Sequence, residues 1–160
     1  VDLANSFVIA DIPGIIEGAS EGRGLGFEFL RHIERTAVLL YMVDLANYRE
    51  SVMQFQTLQE ELKKYSHELE GRHYAICLTK IDAVEEEELQ EKVRSFIQDI
   101  GCEPTQEKSQ FGFTQLPFYE QDFDAYNEAK PAFIAPISSA TGFNKEGLKF
   151  ALNRVVRLGR

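Results

Sequence analysis

At 160 residues the chain has the size of one domain and is long enough to bury a core. Apolar residues at 44% and charged residues at 27% describe an ordinary soluble globular protein, and a net charge of −9 excludes a general basic coat for nucleic acid. No apolar run approaches a membrane span and no signal-peptide pattern opens the chain. Two cysteines make no disulfide framework, so Cys77 and Cys102 read as free thiols in a reducing cytoplasm.

The chain starts at Val1 rather than Met and enters an apolar run within a few residues, which reads as a cut piece of something longer. Ser6-Phe7-Val8-Ile9-Ala10 is that run, a buried strand by its continuity. It delivers Asp11-Ile12-Pro13-Gly14. A carboxylate at a strand end can hold a water of a hard cation such as Mg²⁺. Gly14 has no side chain, so its backbone N–H can approach a terminal phosphate. Alone, this pattern is ordinary turn chemistry. Gly18, Gly22, Gly24 and Gly26 then space a loop able to order around a phosphate.

Phe27, Leu30 and Ile33 recur at helical spacing, and the helix is expected to end near Arg35-Thr36. Residues 37–43 form a second apolar run, closed by Asp44, for which a turn or cap role is the simpler reading. Asn47 and Glu50 resemble a capping box ahead of a helix with Val52, Phe55, Leu58, Leu62 and Tyr65 inward. Gly71 stops it, and residues 74–78 make a third buried strand that delivers Thr79-Lys80-Ile81-Asp82. The acidic run 85–88 suits the first turn of the next helix, whose apolar face is Leu89, Val93, Phe96, Ile97 and Ile100, with Gly101 as its end.

From about residue 103 to 130 the periodicity fails, yet the stretch carries Phe111, Phe113, Phe118, Tyr119, Phe123 and Tyr126. So many aromatics predict an insertion that folds back on the body or meets a partner. Residues 133–137 are the last strand, followed by Ser138-Ser139-Ala140. Asn144 is expected to cap a final helix with Leu148, Leu152, Val155 and Val156 inward and Gly159 beyond it. Strand and helix alternate throughout, which predicts an α/β fold with a parallel sheet and helices on both faces. Ligands of such sheets bind beyond the carboxyl ends of the strands, where all three unusual loops fall.

Asp82 offers a carboxylate that can accept two hydrogen bonds from the ring N1–H and amine of guanine, a pair adenine lacks. Each buried polar group left unpaired by the wrong base costs roughly 1–3 kcal/mol, so one aspartate discriminates strongly. The stem of Lys80 can lie along the purine face, and the N–H of Ala140 can donate to guanine O6. Taken singly, each loop is a surface turn.

Taken together, the loops resemble the third, fourth and fifth motifs of translation-factor-type P-loop GTPases, in order and on the right elements. The stretch from Asp11 through Ala19, the Gly22-x-Gly24-Leu25-Gly26 run and residues 29–36 resemble the Obg (CgtA) family of bacterial GTPases. The resemblance covers nearly the whole chain except residues 103–130. It implies a P-loop NTPase-type sheet that binds GTP or GDP with Mg²⁺ and hydrolyses GTP. It implies that Asp11 reaches Mg²⁺ through water and that Gly14 contacts the γ-phosphate, with Ile12 and Pro13 belonging to the same nucleotide-binding loop. It also implies that Lys80 and Asp82, in a nucleotide-binding motif with Thr79 and Ile81, hold guanine while Ser138, Ser139 and Ala140 close over it. The implied partner is the large ribosomal subunit or its rRNA, met by a cytoplasmic monomer.

Three departures qualify the resemblance. Thr79 stands where Asn is usual, no G-x-x-x-x-G-K-S/T occurs, and no switch threonine is present. Residues 1–160 therefore read as the C-terminal portion of a G domain whose central phosphate-loop strand lies upstream. By itself such a piece is expected neither to bind GTP tightly nor to hydrolyse it, and to be marginally stable. Ile15 follows the D-x-x-G glycine where a glutamine often orients the attacking water; an apolar side chain cannot do so, leaving the task to another group or a partner. Arg23, Arg31, His32 and Arg35 suit a solvated helix face, or an RNA-docking edge in the sharper reading. His67 and His73 have no ligand partners at metal spacing. The competing class is a non-catalytic α/β binding module that works through its aromatic insertion.

Overall fold

The computed structural model describes residues 37–46, 51–65 and 72–158. Outside them lie the expected first strand, the Asp11-Ile12-Pro13-Gly14 loop and the glycine run. The helix after that run with its basic residues, the Asn47/Glu50 cap, His67 and Gly71 also fall outside, as does Gly159.

The second and third apolar runs form strands β1 (Val38–Asp44) and β2 (His73–Thr79). They pair in parallel from Val38↔His73 to Asp44↔Thr79. Strand β4 (Phe133–Pro136) pairs in parallel with the other side of β2 at Ile76↔Ile134. Helix α1 (Ser51–Tyr65) follows β1, α2 (Glu86–Asp99) follows β2, and α3 (Lys145–Leu158) follows β4. That is the expected α/β alternation.

Period-two alternation within each strand divides the core between two faces. Ile76, Leu78, Ile134 and Val43 pack with Phe55 of α1 and Val93, Phe96 and Ile97 of α2. Ala75, Cys77, Phe133 and Ala135 point the other way, against Ala151, Leu152 and Val155 of α3 and the insertion phenylalanines. Both cysteines are free, as expected, and both are buried.

Helix α2 ends as Gly101 predicts. With φ +95 there, the Cys102 N–H donates to the Ile97 carbonyl (3.1 Å) and the Gly101 N–H to that of Gln98 (3.0 Å). This is a Schellman close, which only a residue without Cβ enters without strain.

Two features differ from the expectation. Asn144 precedes α3 but does not cap it: its side-chain amide donates to the Pro136 carbonyl (3.0 Å) and its Oδ1 accepts the Thr114 N–H (3.2 Å). It stands at φ 59, so its side chain is directed away from the helix and ties strand β4 to the insertion. The sheet, moreover, is mixed. Tyr119–Glu120 of the insertion form a two-residue strand, β3, antiparallel to β4, giving the order β1-β2-β4-β3.

The rest of the insertion folds back onto the α3 side of the sheet. Phe111 and Phe113 meet Phe133 at ring centroid distances of 6.3 and 5.8 Å, and Phe118 meets Phe113 at 6.0 Å. The buried Gln121 organises the turn that follows. Its Nε2 lies 2.8–3.0 Å from the carbonyls of Asn127, Lys130 and Pro131, and its Oε1 accepts the Asn127 N–H. Glu120 accepts from the Ser109 hydroxyl and the Gln110 N–H. Every polar side-chain atom that Gln121 buries is thereby satisfied, which is what lets an amide sit in the interior.

Candidate functional site

Beyond the carboxyl ends of β1, β2 and β4 lie three loops, and the register of the sheet sets their spacing. Asp44 and Thr79 are the last partners of the β1–β2 ladder. Just past them the Leu45 N–H donates to the Thr79 carbonyl (3.1 Å), and the Ile137 N–H donates to that of Leu78 (2.8 Å). Those two bonds carry the sheet past its formal ends and hold the three loops side by side.

In the middle loop the chain turns sharply at Lys80, whose backbone is left-handed (φ 57, ψ 34). For a residue with a Cβ this costs roughly 1–2 kcal/mol. The turn leads into a single 3₁₀ turn, Ile81–Ala83, closed by the Ala83 N–H on the Lys80 carbonyl (3.0 Å). Ile81 is buried against α2, while Asp82 is exposed. One turn thus sends an anchor inward and a carboxylate outward.

Asp82 does not stand alone. The hydroxyl of Ser138 donates to its Oδ1 at 3.1 Å, and Ser138 is only 2% exposed. That hydroxyl in turn accepts the Thr141 N–H (3.2 Å), while the Ser138 carbonyl accepts the Gly142 N–H (2.9 Å). The second oxygen of Asp82 makes no hydrogen bond among the described residues. A carboxylate fixed through one oxygen, with the other turned to solvent, can accept two donors from one flat ligand edge.

Thr79 and Lys80 are held from the β1 side. Thr79 Oγ1 donates to the Val43 carbonyl (3.2 Å), and Lys80 Nζ lies 3.3 Å from Asp44 Oδ2. Asp44 has the turn role expected of it, its Oδ1 accepting the Ala46 N–H at 2.9 Å. Gln54 of α1 grips the main chain of Asp44 at both ends. The Asp44 N–H donates to Gln54 Oε1 (3.2 Å), and Gln54 Nε2 donates to the Asp44 carbonyl (2.9 Å).

A groove of about 350 Å³ opens beside the Asp82–Ser138 pair. Ile81, Asp82 and Ser138 line it together with Leu89 of α2 and Gln115 and Leu116 of the insertion. Thr79, Lys80, Ser139 and Ala140 are not among its walls; Lys80, Ser139 and Ala140 are exposed at the tips of their loops.

Of the residues singled out from the sequence, the structure therefore joins Asp82 to Ser138 directly and seats Thr79 and Lys80 against β1. Asp11, Ile12, Pro13 and Gly14 lie outside the described residues. Gln54, Gln115 and Leu116 were not legible as site residues. A glutamine on an amphipathic helix and two residues in an aperiodic loop carry no signal until the fold brings them round. Among the described residues no group of three or more His, Cys, Asp or Glu is placed to hold a metal, and no helix is long and apolar enough to cross a membrane.

Residues 1–80 match the family model described as 50S ribosome-binding GTPase. Over 152 residues, 95% of this chain, the sequence is 52% identical to a protein of Nautilia profundicola named GTPase Obg, of which the match covers 39%. A GTPase Obg of Sulfurimonas denitrificans is 46% identical over 159 residues, 97% of this chain and 43% of that protein. The chain thus spans about two fifths of the length of these curated relatives.

Proposed function

Since the chain belongs to the Obg family of 50S ribosome-binding GTPases, we propose that it supplies the base-reading part of a guanine-nucleotide site in a protein that hydrolyses GTP to GDP. The observation that carries this reading is the pairing of Asp82 with Ser138 at the carboxyl ends of β2 and β4. A carboxylate pinned through one oxygen presents a fixed acceptor pair, and the N1–H and amine of guanine complement it. The Lys80 stem covers a face of the purine, and Ser139 and Ala140 sit at the tip of the loop that closes over its O6 edge.

Nucleotide phosphates are assigned to the loop Asp11-Ile12-Pro13-Gly14, with Asp11 facing Mg²⁺ through a water; the ion would supply charge neutralisation between the phosphates. The phosphate-cradling motif of P-loop proteins is not among these 160 residues. Residues 1–160 are accordingly read as the C-terminal portion of the G domain, with the insertion at about 103–130 as part of its body. The description of the matched family, 50S ribosome-binding GTPase, supports a role at the large ribosomal subunit, and the same reading takes the protein as a cytoplasmic monomer. The alternative, a module working through its aromatic insertion, is disfavoured because Phe111, Phe113 and Phe118 face the core.

The test is base preference. In the intact protein, Asp82→Asn should weaken fluorescent GDP binding by about 10-fold or more and favour xanthosine nucleotides, because donor and acceptor exchange at one edge of the base. Unaltered GDP affinity would show that Asp82 does not read the base.

A further inference from the structure

Lys80 combines features that need a common cause. Its backbone is held in the left-handed region, and its side chain, although 68% exposed, places its ammonium 3.3 Å from the Asp44 carboxylate. An exposed ion pair of this kind contributes little to stability, so the arrangement is not explained as a fold stabiliser. Nor is Asp44 a casual partner. Its carboxylate is divided between two tasks, Oδ1 on the Ala46 N–H and Oδ2 on Lys80, and both its main-chain polar groups are gripped by one side chain of α1. Thr79, immediately before Lys80, is tied to the same strand end through the Val43 carbonyl.

We propose that Asp44, held by Gln54, is a positioning residue that draws the Lys80 head across the end of β1 and so lays its methylene stem flat for the purine. The inference rests on the reading of Lys80 and Asp82 as the base-binding pair. It adds that the platform under the base is set from β1 and α1, not from the Lys80 loop alone. A lysine has four rotatable stem bonds, and an unanchored one spreads its stem over many directions. Fixing the head removes that freedom before the nucleotide arrives, and affinity gained in this way is preorganisation. Gln54 makes the anchor sensitive to where α1 sits, because the two hydrogen bonds it shares with Asp44 are lost if the helix slides.

A double-mutant cycle on the intact protein tests this, read as affinity for fluorescent GDP with thermal melts as the folding control. Asp44→Asn keeps an acceptor for the Ala46 N–H and removes the charge that holds Lys80; Lys80→Met keeps the stem and removes the head. Asp44→Asn is expected to weaken GDP binding by about 3- to 10-fold in the native background and by less than about 2-fold when Lys80 is Met. Gln54→Leu should weaken binding in the same direction and also lose its effect in the Lys80→Met background, and it stands in if Asp44→Asn does not fold. An equal loss in both backgrounds would mean that Asp44 acts through the fold, which overturns the proposal. So would unchanged affinity in Asp44→Asn while Asp82→Asn still shifts preference to xanthosine nucleotides. If the native protein shows no preference for guanine nucleotides, the base reading itself fails and this inference fails with it.

Discussion

Gly147 stands in the first turn of α3, against Phe111 and Phe113 of the insertion. A Cβ there would sit 2.9 Å from Phe113 Cδ1 and 3.0 Å from the Phe111 carbonyl oxygen. Alanine in a helix ordinarily gains up to about 1 kcal/mol over glycine. Here a backbone carbonyl and a packed ring must shift to admit the methyl, and overpacking of that kind costs about 1–3 kcal/mol. Gly147→Ala is therefore expected to be net destabilising, by about 1–2 kcal/mol, read from urea midpoints. A midpoint that rises would show that the insertion yields easily at this contact. Asp82 and Ser138 were legible in the sequence because each follows a buried strand in an α/β alternation, and such loops share one end of the sheet. The Asp44–Lys80 pair was not, since an ion pair between a strand end and a neighbouring loop depends on register, and register is invisible before pairing.

The insertion was legible as a packed segment but not as a strand. Its aromatics outnumber what solvent tolerates, which predicts burial. Two residues of antiparallel β structure, however, are too few to carry an alternation, so β3 gave no signal and the sheet read as wholly parallel. Asn144 misled for a related reason: its type and place suit a helix cap, but the left-handed backbone turns its amide to Pro136 and Thr114 instead. Phe113, 3% exposed, packs against Phe111, Phe118 and Phe133. Phe113→Ala should cost about 3–5 kcal/mol, the usual range for a buried phenylalanine. Hydrogen exchange should show protection lost across residues 111–126 first. Protection that falls evenly over β1 and β2 as well would mean the insertion is not a separable layer.

Burial of phenols ties the stability of the fold to alkaline pH. Burial, with Tyr74 beside it, pushes Tyr41 up to about 12, and burial, with Tyr74 and Glu128 nearby, pushes Tyr126 up to about 12. Tyr74 is raised as well, chiefly by burial. A folded value above the unfolded one, near 10, means the folded state holds its protons more tightly. The stability this gives is fully present below pH 10 and is lost as pH rises from 10 through 12. Burial raises the Cys77 and Cys102 thiols from about 9 as well, so melting temperature is expected to begin falling near pH 9 and to fall steeply beyond pH 10, in step with tyrosinate absorbance. A melting temperature unchanged up to pH 12 would show that these phenols ionise freely in the fold. The antiparallel placing of β3 also bears on the order in which the chain assembles. Tyr119 meets Ile134 across a connection roughly four times shorter than the one joining Ile76 to Ile134, and loop closure is then cheaper by about 1 kcal/mol. The insertion, β4 and α3 form a patch of low contact order that can condense early, against which the parallel strands dock later. The refolding rate of Phe113→Ala would report it, slowing if that patch belongs to the nucleus and holding steady if it does not.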